Sequence, residues 1–447
     1  MLDRNFYKKV VSLVIPMAIQ NLINVGVMAA DVIMLGKVGE TVLSGASLGG
    51  QVFFILNLIL FGTTSGACVL IAQYWGKKDT VTIEKIIGIS MRIAVLLSLL
   101  FTVLTLVIPE PIMHIFSNEP EVIREGAKYL QIIALTYPVV AVTMVYLNLI
   151  KSIERVVIST IVYGASLLLN VVANAVLIFG LCGFPAMGIQ GAAIGTLCAR
   201  LLELVIVVFY ATRINKEVQV HMSYIWHQDC TLRKDFFHYS GPVILNEMIW
   251  GLGYSANAAI VGHLGSSAVA ANSVVQVARQ LSMVVVFGIG NATAIMIGKA
   301  IGEKKEKIAE EYGKRFIRLA LLFGCIGGGI ILLVRPFIIQ GLDFTGLTAD
   351  YMNTFFFMMS YYAVGQALNT VIIVGILRSG GDTRFGLIID MLSMWCGSIL
   401  LGALAAFVFH FPVKVVYFFL LSDELIKIPF SLLRYKKKKW LMNVTRA

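Results

Sequence analysis

Apolar residues along the chain gather into long runs separated by short polar breaks. A membrane-spanning helix needs about 20 mainly apolar residues, because lipid offers no partner for backbone amides. Twelve stretches meet that need: roughly 10–35, 50–75, 86–109, 127–150, 157–181 and 188–212 in the first half. The second half supplies roughly 237–262, 277–300, 316–341, 351–377, 385–409 and 412–434. Asp3, Arg4, Lys8 and Lys9 lead straight into the first full-length stretch, so no cleavable signal peptide is expected.

The pattern repeats itself. A shift of about 226 residues places Pro16 on Pro242, Gly36 on Gly262, Gly39 on Gly265, Ser47 on Ser273 and Gly76 on Gly302. Phe61-Gly62 falls on Phe287-Gly288, and the turn Lys151–Arg155 answers Arg378–Arg384 more loosely. Matched Pro and Gly at one offset are far rarer by chance than matched Ala, Val or Leu. The expected architecture is therefore all-α, with twelve transmembrane helices as two parallel six-helix repeats forming two lobes. The divisions are an N-terminal lobe 1–212, a cytoplasmic linker 213–236, a C-terminal lobe 237–434 and a basic cytoplasmic tail 435–447.

Composition agrees with lipid as the solvent. The 447 residues are 58% apolar and only 14% charged, against about a quarter charged in soluble domains. Mean hydropathy is +0.85. This excludes a soluble enzyme, a nucleic-acid-binding domain and a secreted disulfide scaffold. The net charge of +11 is a topology signal. Lys77, Lys78, Lys85, Lys151, Arg155, Arg213, Lys216, Arg233, Lys234, the Lys299–Arg318 cluster, Arg378, Arg384 and Lys436–Lys439 all fall on the side of the two termini. Both ends are thus expected in the cytoplasm, with the chain in the plasma membrane. The six cysteines (68, 182, 198, 230, 325, 396) show no ligand spacing and read as buried small fillers. The six histidines (114, 221, 227, 238, 263, 410) form no ligand motif, so neither a metalloenzyme nor a resident cofactor is expected.

Charge inside a span is costly and marks function by default. Three acids stand out: Asp31 in the first stretch, Glu247 in the seventh and Asp390 in the eleventh. Asp31 has Asn170 and Asn174 as potential company, an i,i+4 pair on the fifth stretch, and Thr196 on the sixth. A carboxylate with amide and hydroxyl oxygens suits a hard monovalent cation such as Na+, and equally a proton if desolvated. Interhelical hydrogen bonding alone is the competing account of the Asn pair. Around Glu247 a cavity for substrate or cation is drawn from Asn21, Asn246, Trp250, Asn257, Gln276, Gln366, Asn369 and Asp390, with Tyr254 close by. Arg279 reads as snorkelling outward, with pairing to Glu247 as the alternative. Asp390, nearer the turn, can equally serve packing. Eighteen Met and forty-seven aromatic residues offer soft surface for varied apolar ligands.

These residues resemble the multidrug and toxic compound extrusion (MATE) family over essentially the whole chain. The resemblance rests on Pro16…Asp31-Val-Ile-Met-Leu-Gly-Lys-Val-Gly39, Pro242…Glu247…Gly262-His-Leu-Gly265, Leu377-Arg378-Ser-Gly-Gly-Asp-Thr383 and Gly188-Ile-Gln-Gly-Ala-Ala-Ile-Gly-Thr196. It implies a V-shaped pair of lobes and export of amphiphilic or cationic organic compounds against inward Na+ or H+. It also implies cation coupling at Asp31, Asn170, Asn174 and Thr196, and at Glu247. Two positions depart from the family pattern: Asn174 stands where some relatives have aspartate, and Gly365-Gln366-Ala367 replaces a tenth-span aspartate. The resemblance points to a transporter working as a monomer without nucleic acid; a lipid-linked oligosaccharide flippase of the same superfamily is the rival.

Overall fold

The computed structural model describes residues 2–226, 229–341 and 346–446, and every regular element among them is a helix. His227 lies outside the described residues. The first half contains α1 (Leu2–Val38), α2 (Glu40–Lys77), α3 (Thr80–Val107), α4 (Pro109–Phe116), α5 (Pro120–Ile133), α6 (Thr136–Ser152), α7 (Val157–Phe179) and α8 (Gly188–Phe209). The short α9 (Met222–Trp226) precedes α10 (Cys230–His263), α11 (Ser266–Gly302), α12 (Glu306–Gly341) and α13 (Leu347–Asn369). The chain then runs through α14 (Thr383–Met391), α15 (Leu400–Ala403), α16 (Val413–Leu420) and α17 (Asp423–Lys436). Helices are what lipid demands, since each backbone amide finds its partner within the same segment.

Among the described residues nine helical stretches are long and apolar enough to cross a bilayer. A tenth appears if α5 and α6, bent by 53° at Ala134–Leu135, count as one. Two expected stretches fall short for identifiable reasons. The stretch 237–262 lies within α10, where Asn246, Glu247 and Asn257 dilute the apolar run. The stretch 412–434 is divided at Leu421–Ser422 into α16 and α17, and α17 opens on Asp423 and Glu424.

The offset seen in the sequence reappears in the elements. Pro16 and Pro242 both lie inside their long helices, α1 and α10. Gly39 alone links α1 to α2, and Leu264 with Gly265 links α10 to α11. Gly76 and Gly302 together let α2 and α11 cross closely. A Cβ on Gly76 would stand 2.2 Å from the Lys299 carbonyl oxygen, and one on Gly302 would stand 1.9 Å from that of Gln73.

Two compact units divide the chain, one of residues 19–71 and 79–238, the other of residues 1–18, 72–78 and 239–447. In the first, α7 and α8 pack along their lengths, and Leu35, Ala46, Ile178, Ile189 and Ala192 are buried together. The segment after α8 is fastened down within this unit. Arg155 holds Glu217 with two contacts of 2.5 and 3.2 Å, and Asn215 donates to Val218 O and the Tyr146 hydroxyl. In the second unit Met283, Phe355, Phe356, Met359 and Tyr417 build the core, with Phe355 stacked on Tyr417 at 3.6 Å. There the basic tail is a strap. Gln73 donates to the Ser379 and Met442 carbonyls and accepts from Val444 N–H, while Trp440 is buried.

The cysteines correct the sequence reading: Cys182, Cys198, Cys230, Cys325 and Cys396 are exposed, and Cys68 is half-buried. Cys198, Cys325 and Cys396 lie within bilayer-length helices, where an exposed thiol meets an apolar solvent and gains nothing from burial in protein.

The helix crossing gives a direct prediction. Gly302→Ala forces a methyl against backbone and should cost about 1–3 kcal/mol, the usual range for overpacking. Gly50→Ala, with nothing within 4 Å of the added carbon, should be neutral. Thermal unfolding in detergent compares the two; equal midpoints would refute the crossing.

Candidate functional site

The first unit brings Asp31 of α1 to Asn170 and Asn174 of α7 and Thr196 of α8. Asn174 Nδ2 donates to Asp31 Oδ1 at 2.6 Å and lies 3.3 Å from Asn170 Oδ1; Asn170 Nδ2 in turn lies 3.3 Å from Thr196 Oγ1. Both asparagines are buried, and Asp31 and Thr196 are half-buried. The arrangement depends on close approach of α7 and α8. A Cβ on Gly195 would sit 2.1 Å from Asn174 Oδ1, and one on Gly191 would sit 2.6 Å from the Leu177 carbonyl. Small residues one turn apart let helix backbones approach in this way. Asn174 Oδ1 is buried with no hydrogen-bond partner among the described residues. A buried acceptor beside a carboxylate, with further amide and hydroxyl oxygens next to it, is suited to a bare cation or a proton.

An ion pair next to this group went unseen in the sequence. Arg200 Nη1 lies 2.7 Å from Glu203 Oε1, and Glu203 is only 1% exposed. Arg200 is also within electrostatic reach of Asp31. The signal was an Arg-x-x-Glu pair inside an apolar run, a spacing that places both on one helix face.

The second unit corrects the sequence account of Glu247. Its partner is Arg378, with Nη1 3.1 Å from Oε1, and Arg378 is 6% exposed. The sequence places Arg378 among the cytoplasmic charges; its side chain points into protein, directly after a π-helical stretch, Thr370–Leu377, that shifts the helix phase. Arg279 neither snorkels nor meets Glu247. Its Nε donates to Gln276 Oε1 at 2.8 Å and its Nη1 to Gln366 Oε1 at 2.9 Å. The set of three in-span acids is also too small, because Glu203, Asp423 and Glu424 are buried as well.

The expected cavity residues are hydrogen-bonded in separate sets. Asn246 Nδ2 meets Asp390 Oδ2 at 2.9 Å, and Lys427 Nζ meets Asp390 Oδ1 at 3.0 Å. Asn369 Nδ2 donates to Glu424 Oε2 at 2.7 Å. Gln276 and Gln366 belong with Arg279, while Asn257 Nδ2 lies 3.4 Å from the Leu420 carbonyl. Trp250 is exposed and stacks on Tyr254 at 5.9 Å. Asn21 is half-buried on α1 in the other unit.

A chain whose described residues are helical, with nine or ten bilayer-length stretches among them and ionised groups paired between helices, is a multi-pass membrane protein. The MatE family model matches it twice, over residues 16–176 and 242–404, so the two matches begin at the spacing of the internal repeat. The chain belongs to the MatE family. It is 25% identical over 411 residues to a probable multidrug resistance protein NorM of Rhizobium meliloti, covering 89% of this chain and 85% of that one. A probable NorM of Thermotoga maritima is 24% identical, with 97% and 93% covered. The multidrug resistance protein PmpM of Pseudomonas aeruginosa is 22% identical, with 87% and 81% covered. Solved structures share the fold. A MATE protein in its bent conformation superposes with TM-score 0.87 at 16% identity, covering 97% of this chain and 95% of that one. A MOP superfamily transporter from Pyrococcus furiosus gives 0.86 at 16% identity, with 98% and 97% covered.

The Arg200–Glu203 pair is testable apart from transport. Glu203→Leu leaves a guanidinium without its carboxylate and should cost on the order of 3 kcal/mol, the low end for a broken buried pair. Replacing both residues by Leu should restore most of that loss. Thermal unfolding in detergent reads both variants; a double replacement as unstable as the single one would contradict the pairing.

Proposed function

We propose that this protein is a multidrug efflux secondary transporter of the plasma membrane, exporting amphiphilic or cationic organic compounds in exchange for Na+ or H+. Its twelve spans form two six-helix lobes, both ends of the chain are cytoplasmic, and the single chain is the working unit. The observation that carries the reading is Asp31, an in-span carboxylate tied through Asn174 to Asn170 and Thr196. Membership of the MatE family and the multidrug resistance names of its relatives support it.

The ion is a substrate of the exchange. Entry at Asp31 replaces the hydrogen bond from Asn174 with a bond to a cation or a proton, and leaves the amide oxygens free to turn inward. An ion drives a conformational switch only by binding the two states unequally, and a site spread over α1, α7 and α8 changes its affinity whenever those helices shift. Na+ and H+ both suit this donor set. Glu247 is the second coupling candidate, but it is already engaged by Arg378, which competes with any incoming cation.

The flippase alternative wants free basic side chains for a pyrophosphate. Arg200, Arg279 and Arg378 are engaged by Glu203, by Gln276 and Gln366, and by Glu247. Family membership favours a transporter over an enzyme.

Dye efflux from proteoliposomes, with sodium and proton gradients imposed separately, tests the reading. One gradient should drive efflux, and Asp31→Asn should lower the driven rate to that of empty vesicles while the protein still inserts and remains monodisperse. Wild-type rates in Asp31→Asn, or no efflux under either gradient, would refute it.

A further inference from the structure

The second unit buries a charged cluster that the coupling reading does not use. Lys427 of α17 is 3% exposed and is surrounded by three carboxylates. Its Nζ stands 3.0 Å from Asp390 Oδ1, 3.2 Å from Asp423 Oδ2 and 3.5 Å from Glu424 Oε1. Asn246 Nδ2 holds the other oxygen of Asp390 at 2.9 Å, and Asn369 Nδ2 the other oxygen of Glu424 at 2.7 Å. Three carboxylates on one ammonium do not balance. The surrounding groups do not complete the balance: Glu247 of α10 is matched by Arg378, a phenol such as Tyr362 of α13 ordinarily carries no charge at neutral pH, and Arg279 of α11 is bound to Gln276 and Gln366. Among the described residues of this cluster and its surroundings, four acids face three bases; Asp423 and Glu424 are buried, and Asp390 and Glu247 half-buried.

A metal cation is a poor candidate for the missing charge. Lys427 already stands at the centre of the cluster, at ammonium distances, whereas hard cations sit about 2.3–2.6 Å from their oxygens. A proton fits. The buried Asn246, 5% exposed, has an Oδ1 with no hydrogen-bond partner among the described residues, next to the Asp390 carboxyl. An ionised Asp390 is served by the amide N–H; a protonated one donates its O–H to the amide oxygen once the amide turns over. Since Oδ1 has no bond to give up, the turn loses nothing at that atom. Burying an unbalanced carboxylate is costly, and neutralisation by a proton is the usual escape.

We propose that Asp390, Asp423 and Glu424 form a proton-exchanging site in which Lys427 is a tethered counter-cation that keeps metal ions out. The site belongs to the second unit alone and stands whichever ion Asp31 takes. The step is simple in balance: one proton joins a carboxylate oxygen and leaves again, with no other bond made or broken.

Difference infrared spectroscopy in lipid nanodiscs, without substrate, tests this independently of efflux. In Asp31→Asn protein, moving from alkaline to acid buffer should raise a carboxylic-acid carbonyl band that added Na+ leaves unchanged. Asp31→Asn combined with Asp390→Asn or with Glu424→Gln should lose at least half of that band. Carboxyl 13C-labelling of aspartate and glutamate in Asp31→Asn protein should shift the same band, which assigns it without disturbing the cluster. Lys427→Met should make the band sensitive to Na+. A band untouched by both carboxyl substitutions overturns the site. Suppression by Na+ with Lys427 in place, or indifference to Na+ without it, overturns the counter-cation role.

Discussion

Lipid solvates neither a backbone amide nor an ionised side chain, and most of this structure follows from that constraint. Helices satisfy the amides within each segment. The charges have to be satisfied by other side chains, and they are: Arg200 by Glu203, Glu247 by Arg378, and Asp390 by Lys427. Each pair ties helices together or stiffens one helix face, so electrostatic need and packing need are met by the same contacts. Asp31 is the exception in kind. It is held by a neutral amide, with Arg200 nearby but committed to Glu203.

Much of this is legible in the amino-acid sequence. Long apolar runs announce the helices, and the Pro and Gly matches announce the repeat. Asp31 with Asn170, Asn174 and Thr196 is legible because a lone acid in an apolar run needs company, and an i,i+4 amide pair on a neighbouring run is ready company. What stays hidden is depth. Asp423 and Glu424 open a helix after a break, and from sequence an acid at a helix start looks like one at the membrane surface. The packing of α17 against α13 and against the π-helical stretches Thr370–Leu377 and Leu392–Ile399 is what buries them. The burial of Arg378 is hidden for a related reason. It adjoins a polar turn, and nothing in residue spacing reveals the π-helical stretch before it.

The repeat also separates what packing preserves from what chemistry changes. Gly76 and Gly302 occupy equivalent positions and shape one helix crossing, so neither tolerates a side chain. Gly39 and Gly265 likewise hold equivalent junctions. The charged positions have no such symmetry. Asp31 corresponds to Asn257 and Glu247 to Asn21, so each acid faces an amide in the other copy. Side chains that set backbone distance are locked by geometry common to both copies. Side chains that hold charge are set by partners, and the partners differ.

That divergence bears on where a coupling ion gains most. An ion entering beside Asp31 meets a carboxylate hydrogen-bonded by an amide, and the bond it displaces is a modest one. An ion entering beside Glu247 must displace a guanidinium 3.1 Å away, and one entering the Asp390 group must displace an ammonium bound three times. A fixed base lowers a carboxylate's affinity for a metal cation and for a proton alike, but a proton needs only one oxygen and does not have to displace the base, so it is excluded less than a metal cation. On the proposed function, the two copies have therefore diverged toward different traffic: an open acid in one, and acids already occupied by the protein's own cations in the other.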